Sequence, residues 1–376
     1  MVSYFIGVMS GTSLDGIDVV VIDLQNNNHV ELIAAHTYAF EPTLKQGLKT
    51  LIERQHCDLR EFGELDIALG QAIANAINNL LAANKLNPNA IKAIGSHGQT
   101  IFHHPEGHHP FSLQIGNANV IAELTGISTV ADFRQRDMVL GGQGAPLVPA
   151  FHKNLFEDKQ QHRAIINIGG ISNITVLPAT DTGHQVIGFD TGPGNVLLDT
   201  WYEQHQHGPY DHDGLWAAAG TINKELLAHL LKDEYFKQAI PKSTGREYFN
   251  LAWLHKKLTE FQRQLEPQDV QATLTALTAH TIAQDIHRYA SQTKAIYICG
   301  GGSHNSSLMA MLQQSLANIA VSTTEELGLH ADWVEACAFA WLAAQTLANK
   351  TGNLPDVTGA QRATILGGVY SSKLAS

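Results

Sequence analysis

Short β-branched apolar runs open the chain: Tyr4 to Val8 and Val19 to Leu24 each read as a strand, and Glu31 to Thr37 as a third. The polar Gln25-Asn26-Asn27-Asn28 predicts a hairpin turn between the second and third, so antiparallel strands come first. Helical spacing follows over Leu44 to Arg54 and Arg60 to Ala83, the second with Leu65, Leu69, Ile73, Ile77 and Leu80 or Leu81 on one face. Ala93 to Ser96 and Ile127 to Ala131 read as short buried strands. The helix between them, Ala118 to Leu124, makes the second run parallel to the first. The order is β-β-β-α-β-α-β.

The pattern then restarts. Arg163 to Ile168 is a strand, Gly169-Gly170-Ile171-Ser172-Asn173 a small polar turn, Ile174 to Leu177 a second strand and Gln185 to Phe189 a third. Helices follow near Val196 to Gln204, Thr221 to Leu231, Leu251 to Phe261 and Val270 to Ser291. A strand, Lys294 to Cys299, ends in Gly300-Gly301-Gly302-Ser303, and a last apolar helix runs from Ala336 to Ala348. This is a repeat of whole domains. The boundary is expected where glycine and proline interrupt all periodicity, in Gly141-Gly142-Gln143-Gly144-Ala145-Pro146. The expected domains are residues 1–145 and 146–376, with the C-terminal helices free to pack back on the first. Facing each other, they would bring both hairpin loops to one cleft.

Composition narrows the partners. A chain of 376 residues, 44% hydrophobic, can bury large cores, while a net charge of -11 with 24 Lys and Arg offers no basic footprint for nucleic acid or an anionic membrane. No Lys or Arg precedes Lys45, which removes the charged start of a secretory signal, and Ala336 to Ala344 is too short to span about 30 Å of hydrocarbon. Cys57, Cys299 and Cys337 have no paired spacing and read as packing residues of a cytoplasmic protein. Small-molecule partners remain, with a homodimer left open.

The first loop carries candidate chemistry. Gly11 and Gly16 let backbone approach an anion, Ser10, Thr12 and Ser13 offer hydroxyl donors, and Asp15 or Asp18 could hold a metal ion or its waters. The stretch lacks the lysine of a P-loop and joins strand to strand. Gly169 and Gly170 occupy the corresponding loop of the second half, and the triple glycine at 300–302 reads either as bare backbone for a nucleotide or as a plain strand-to-helix turn. Asp190 stands before Thr191-Gly192-Pro193-Gly194, where an isolated aspartate more often bonds its own turn. Arg134 and Arg136 are either a carboxylate-binding pair or an ion-pair cluster with Asp132 and Asp137. His97 and Gln99 end a buried strand, and Glu335 either caps the last helix or points a carboxylate at a ligand. The histidines of 103–109 and 205–212 lie among proline and glycine without ligand spacing and read as solvated loops.

Five runs in order, Met9-Ser10-Gly11-Thr12-Ser13-Leu14-Asp15-Gly16-Ile17-Asp18, Ser96-His97-Gly98-Gln99-Thr100, Ala131-Asp132-Phe133-Arg134-Gln135-Arg136-Asp137, Asn167-Ile168-Gly169-Gly170-Ile171-Ser172-Asn173 and Phe189-Asp190-Thr191-Gly192-Pro193-Gly194-Asn195, resemble the anhydro-N-acetylmuramic acid kinase family. The resemblance implies an α/β fold of two duplicated actin-like ATPase (ribonuclease H-like) domains with mixed sheets flanking an interdomain cleft. It implies ATP and Mg2+ as cofactors, cleavage of the 1,6-anhydro ring, and phosphorylation of O6 in peptidoglycan recycling. It makes Asp190 the base and reverses the bland reading of that residue. Nucleotide contacts are implied at Gly11, Thr12, Ser13, Leu14, Asp15, Gly16, Ile17, Asp18, Gly169, Gly170, Gly300, Gly301 and Gly302, and substrate contacts at His97, Gln99, Arg134, Arg136, Asn195 and Glu335. The metal ligands stay unassigned, because the first strand carries Gly7 where many actin-like ATPases have an aspartate. Kinase action on another small sugar and an actin-like nucleotide switch are the alternatives.

Overall fold

The computed structural model describes residues 3–11, 14–25 and 29–372. The expected asparagine turn at 26–28 lies outside the described residues. Alternation of apolar side chains produces a first sheet covered on both faces. It contains β1 (Tyr4–Met9), β2 (Ile17–Gln25), β3 (His29–Tyr38), β4 (Ile91–Ser96) and β7 (Thr129–Ala131), with β5 (Gln99–His104) and β6 (Phe111–Ile115) pairing separately. Ile6, Val8, Val19 and Val21 pack against Leu69, Ile73, Ile77 and Leu80 of the helix Leu59–Ala83, the face that the spacing predicts. Asp58 caps that helix by accepting from the Glu61 N–H at 2.9 Å.

The opposite face receives the helix Val334–Leu347. Gly7 and Gly95 are register partners on β1 and β4. A Cβ on Gly7 would lie 1.8 Å from the Ala336 carbonyl oxygen, and one on Gly95 2.0 Å from that of Phe339. These two glycines admit helix backbone directly onto the sheet, which is why the first strand cannot carry an aspartate at position 7.

The second sheet contains β8 (Arg163–Ile168), β9 (Ile171–Leu177), β10 (Ile187–Pro193), β11 (Ala295–Cys299) and β12 (Ala320–Thr323). Its order, β10-β9-β8-β11-β12, repeats β3-β2-β1-β4-β7 of the first sheet, where β13 (Gly368–Tyr370) adds an antiparallel edge. In both, the first three strands form an antiparallel meander and the fourth runs parallel to the first. This repeated mixed α/β topology is the duplicated actin-like ATPase fold. Ile166, Ile168, Ile174 and Phe189 pack on Ala279, Ile282 and Ile286 of the helix Pro267–Tyr289.

Compact contacts divide the chain into residues 1–155 with 333–376, and residues 156–332. The division falls after the helix Val148–Phe156 has all but ended, past the glycine and proline stretch, and the C-terminal segment belongs to the first unit. Two local expectations change. The polar turn after β8 is only Gly169-Gly170, since Ile171, Ser172 and Asn173 already pair with β10. Asp190 is not at a strand end: β10 continues to Pro193 because the ladder skips Thr191, opposing Asn173 with Asp190 and Ser172 with Gly192.

Candidate functional site

In the first unit the candidates gather beyond the carboxyl ends of β1, β4 and β7, the edge where open α/β sheets present ligand-binding loops. Ser10 Oγ donates to Gln99 Oε1 at 2.6 Å, both side chains being buried. The His97 amide donates to the Val8 carbonyl at 3.0 Å, and its Nδ1 faces the Gly98 carbonyl at 2.9 Å. Nδ1 must therefore hold the proton, which leaves Nε2 to accept from Arg134 Nε at 3.1 Å and Nη2 at 2.8 Å. Burial, then the Arg134 charge, holds the imidazole pKa well below its usual value, so the ring is neutral.

The two arginines part company here. Arg134 also donates to the Gly144 carbonyl at 2.7 Å, whereas Arg136 is exposed and donates to the Ile365 carbonyl at 3.1 Å. Asp137 is buried and accepts from Gly144 N–H at 2.9 Å and from Asn353 and Thr358 at 2.7 Å each. It serves the fold around the C-terminal segment. Asp132 has a left-handed backbone, φ 59, and burial pushes its carboxyl pKa up. Glu335 is half-buried in the first turn of Val334–Leu347.

Thr12 and Ser13 of the first loop lie outside the described residues. Leu14 and Ile17 are 4% and 2% exposed and belong to the first core, so their side chains pack and only their backbone is left for a ligand. A Cβ on Gly16 would lie 2.5 Å from Thr37 Cγ2, which explains that glycine by close packing. Asp15 is exposed; Asp18 is half-buried and accepts from Thr37 Oγ1 at 2.6 Å.

In the second unit the glycine loops come together at the carboxyl ends of β8 and β11. Gly194 and Val196 N–H donate to the Gly170 carbonyl at 2.9 and 3.0 Å, and Asn195 N–H to that of Gly169 at 2.8 Å. Asn195 Nδ2 donates to the Ile168 carbonyl at 3.2 Å and would stand 3.7 Å from a Cβ on Gly301. Asn195 thus groups with the glycines. Gly300 has φ +79, and a Cβ there would meet Asn167 Oδ1 at 2.3 Å; one on Gly302 would meet Ile168 Cγ2 at 2.3 Å. Asp190, half-buried beside the Thr191 bulge, accepts from the Thr244 N–H through Oδ2 at 3.0 Å.

Sequence reasoning missed the segment that reaches this edge. Lys242 to Arg246 has no periodicity to mark it, yet its carbonyl at Lys242 accepts the Asp190 N–H at 3.1 Å. Arg246 stands with Nη2 3.3 Å from where a Gly170 Cβ would be. The signal available was two cations around Ser243-Thr244-Gly245 in a chain with few arginines. Ser10, read from the sequence as one hydroxyl donor among three, has Gln99 as its partner.

The family model described as anhydro-N-acetylmuramic acid kinase matches residues 3–372. Proteins carrying that name are similar along nearly the full length. One from Coxiella burnetii is 48% identical over 366 residues, covering 97% of each chain. One from Pasteurella multocida is 50% identical over 368 residues, covering 98% of this chain and 96% of its own, and one from Xylella fastidiosa is 49% identical over 369 residues, covering 97% and 96%. With identity of that order sustained from end to end, this chain belongs to the anhydro-N-acetylmuramic acid kinase family.

Proposed function

We infer that this chain is an ATP-dependent kinase that opens the 1,6-anhydro ring of anhydro-N-acetylmuramic acid with water and phosphorylates O6, releasing N-acetylmuramic acid 6-phosphate and ADP. The observation that carries the reading is the near end-to-end match to proteins of that name. Water adds to C1, the C1–O6 bond breaks, and O6 takes the γ-phosphoryl group. The water proton passes to Asp190, whose carboxylate is aimed by the Thr244 N–H.

Phosphoryl transfer asks chiefly for positioning and charge neutralisation. Backbone at Gly11, Gly169, Gly170 and Gly300 to Gly302 would receive phosphate and nucleotide, with Arg246 the nearest cation to Gly170. Mg2+ is held through one or two carboxylates with the rest of its shell from phosphates and water, so the first loop fits without a ligand cluster. Asp18, with Oδ1 already oriented by Thr37, and the exposed Asp15 are the residues to hold it, and the ion would supply charge neutralisation. Neutral His97 fixes the Arg134 guanidinium, the better of the two arginines for the lactyl carboxylate, while Gln99 and Glu335 supply polar contacts to the sugar. The peptidoglycan sugar and a cytoplasmic setting follow from the same reading; among the described residues no helix is long and apolar enough to cross a membrane.

The test is incubation with Mg-ATP and the anhydro sugar in 18O-labelled water. Mass spectrometry should find phosphate at O6 and label at C1. Phosphorylation without label at C1 would remove water as the nucleophile, and equal turnover of reducing N-acetylmuramic acid would move the acceptor to an ordinary sugar.

A further inference from the structure

We propose that the buried Lys242–Asp285 ion pair is a positioning device for Asp190, a role that rests on the reading of Asp190 as the base. β10 is the edge strand of its sheet, and beside Asp190 its pairing with β9 is broken by the Thr191 bulge. An edge interrupted in this way does not by itself hold a carboxylate to a fixed direction. A separate segment completes it from outside. The Lys242 carbonyl accepts the Asp190 N–H at 3.1 Å, the Tyr235 hydroxyl donates to the Asp190 carbonyl at 2.7 Å, and the Thr244 N–H meets the carboxylate at 3.0 Å.

Lys242 is the pin of that segment. Its ammonium reaches Asp285 Oδ2 at 2.9 Å, the two side chains being 1% and 3% exposed. It also lies over the rings of Phe189 and Tyr235, 5.7 and 5.2 Å from their centroids. Asp285 belongs to the helix Pro267–Tyr289, which packs under the sheet, so the pair ties the segment to the most buried helix of the unit. Lysine is among the residues least often found fully buried. A buried ion pair costs so much desolvation that apolar residues of similar volume commonly replace it with no loss of stability. Direction, not stability, is what this pair adds: it fixes where Thr244 donates, and hence where the carboxylate points.

The test replaces both partners, Lys242→Met with Asp285→Leu, so that no charge is left alone in the core. The double variant should melt at or above the native temperature, keep the sugar KM, and lose roughly tenfold to 100-fold in kcat, the scale of a small misplacement of a reacting group. Tyr235→Phe, which removes one hydroxyl and little volume, should lower kcat in the same direction with KM unchanged. Native kcat in the folded double variant overturns the proposal, and so does a double variant that fails to fold, because the pair would then serve stability. Asp190→Asn run alongside separates the two ideas: if it retains turnover the base assignment has failed, and if it is inactive while the double variant is native, only the positioning role has.

Discussion

The two units share one strand order and furnish its carboxyl edge in different ways. In the first, glycines are spent inside the sheet, at Gly7 and Gly95, to seat a helix, and the edge is built from interlocked side chains: Ser10 with Gln99, and His97 with Arg134. In the second, the glycines are the edge itself, Gly169, Gly170 and Gly300 to Gly302. Asp190 stands on β10 itself, and the cations Lys242 and Arg246 arrive on the 242–246 segment. A repeated topology therefore decides where ligand chemistry can stand, and what furnishes the edge, interlocked side chains in one half and bare backbone in the other, decides which chemistry each half suits.

The sharpest way to break that division is Asp190→Asn. Turnover should fall about 10³-fold, as loss of a general base does, while ATP affinity measured by calorimetry stays close to native. An unchanged rate would leave the second edge as a nucleotide platform only.

A pair of glycine substitutions tests the different use of glycine. Gly7→Ala drives a methyl into the Ala336 carbonyl and should cost about 3 kcal/mol or more in thermal or urea unfolding. Gly169→Ala meets only Ile171 O at 3.7 Å, so stability should hold within about 1 kcal/mol, while turnover should drop under the proposed function, in which bare backbone there receives phosphate. If Gly169→Ala proved as destabilising as Gly7→Ala, the contrast between a packing glycine and a ligand glycine would collapse.

Within the first edge the arginines should separate. Arg134→Lys loses the planar fork that spans His97 and Gly144, and the sugar KM should rise about tenfold with kcat little changed. Arg136→Lys, which would keep a cation near an exposed carbonyl, should leave KM within about twofold. Equal effects would return both to one cluster.

This separation marks how far residue pattern alone reaches. The meanders, the helix Leu59–Ala83 and the repeat were legible because period-2 and period-3.6 patterning report burial on one face. The motifs that carry His97, Gln99, Asp190 and Asn195 stand out by resemblance, and the roles proposed for them rest on it. Arg134 could not be told from Arg136 because the choice depends on Gly144 and Ile365, carbonyls supplied by other stretches of chain. Asn195 carries its substrate role by resemblance only; that its Nδ2 donates to the Ile168 carbonyl depends on the fold of the β8 edge and has no mark in the residue pattern. The strand containing Asp190 seemed to stop at Phe189 because a bulge breaks the alternation without ending the strand. Lys242 to Arg246 left no pattern at all, since its order comes from partners 43 and 54 positions away, as in Lys242 to Asp285 and Thr244 to Asp190.

The remaining effect expected is in pH. His97 and His152 of the first unit are buried, burial being the first cause that lowers each pKa, to about 3 for His152. An unfolded histidine takes its proton near pH 6.5, which the folded ones refuse, so the unfolded state binds more protons as the pH drops. Stability is flat from this source above about pH 6.5 and falls by about 1.4 kcal/mol per pH unit per histidine below it, until the folded pKa is reached. Asp285 of the second unit runs the other way: burial raises its folded carboxyl pKa against the pull of Lys242. It therefore adds no acid sensitivity between pH 6.5 and its unfolded value. Urea unfolding at pH 7 and pH 5, followed by probes in each unit, should find the first unit losing stability more steeply. His152→Phe should flatten that slope by the share of one proton; a slope unchanged by the substitution would mean that His152 does not resist protonation, and that the two units differ in their edges but not in the electrostatics of their cores.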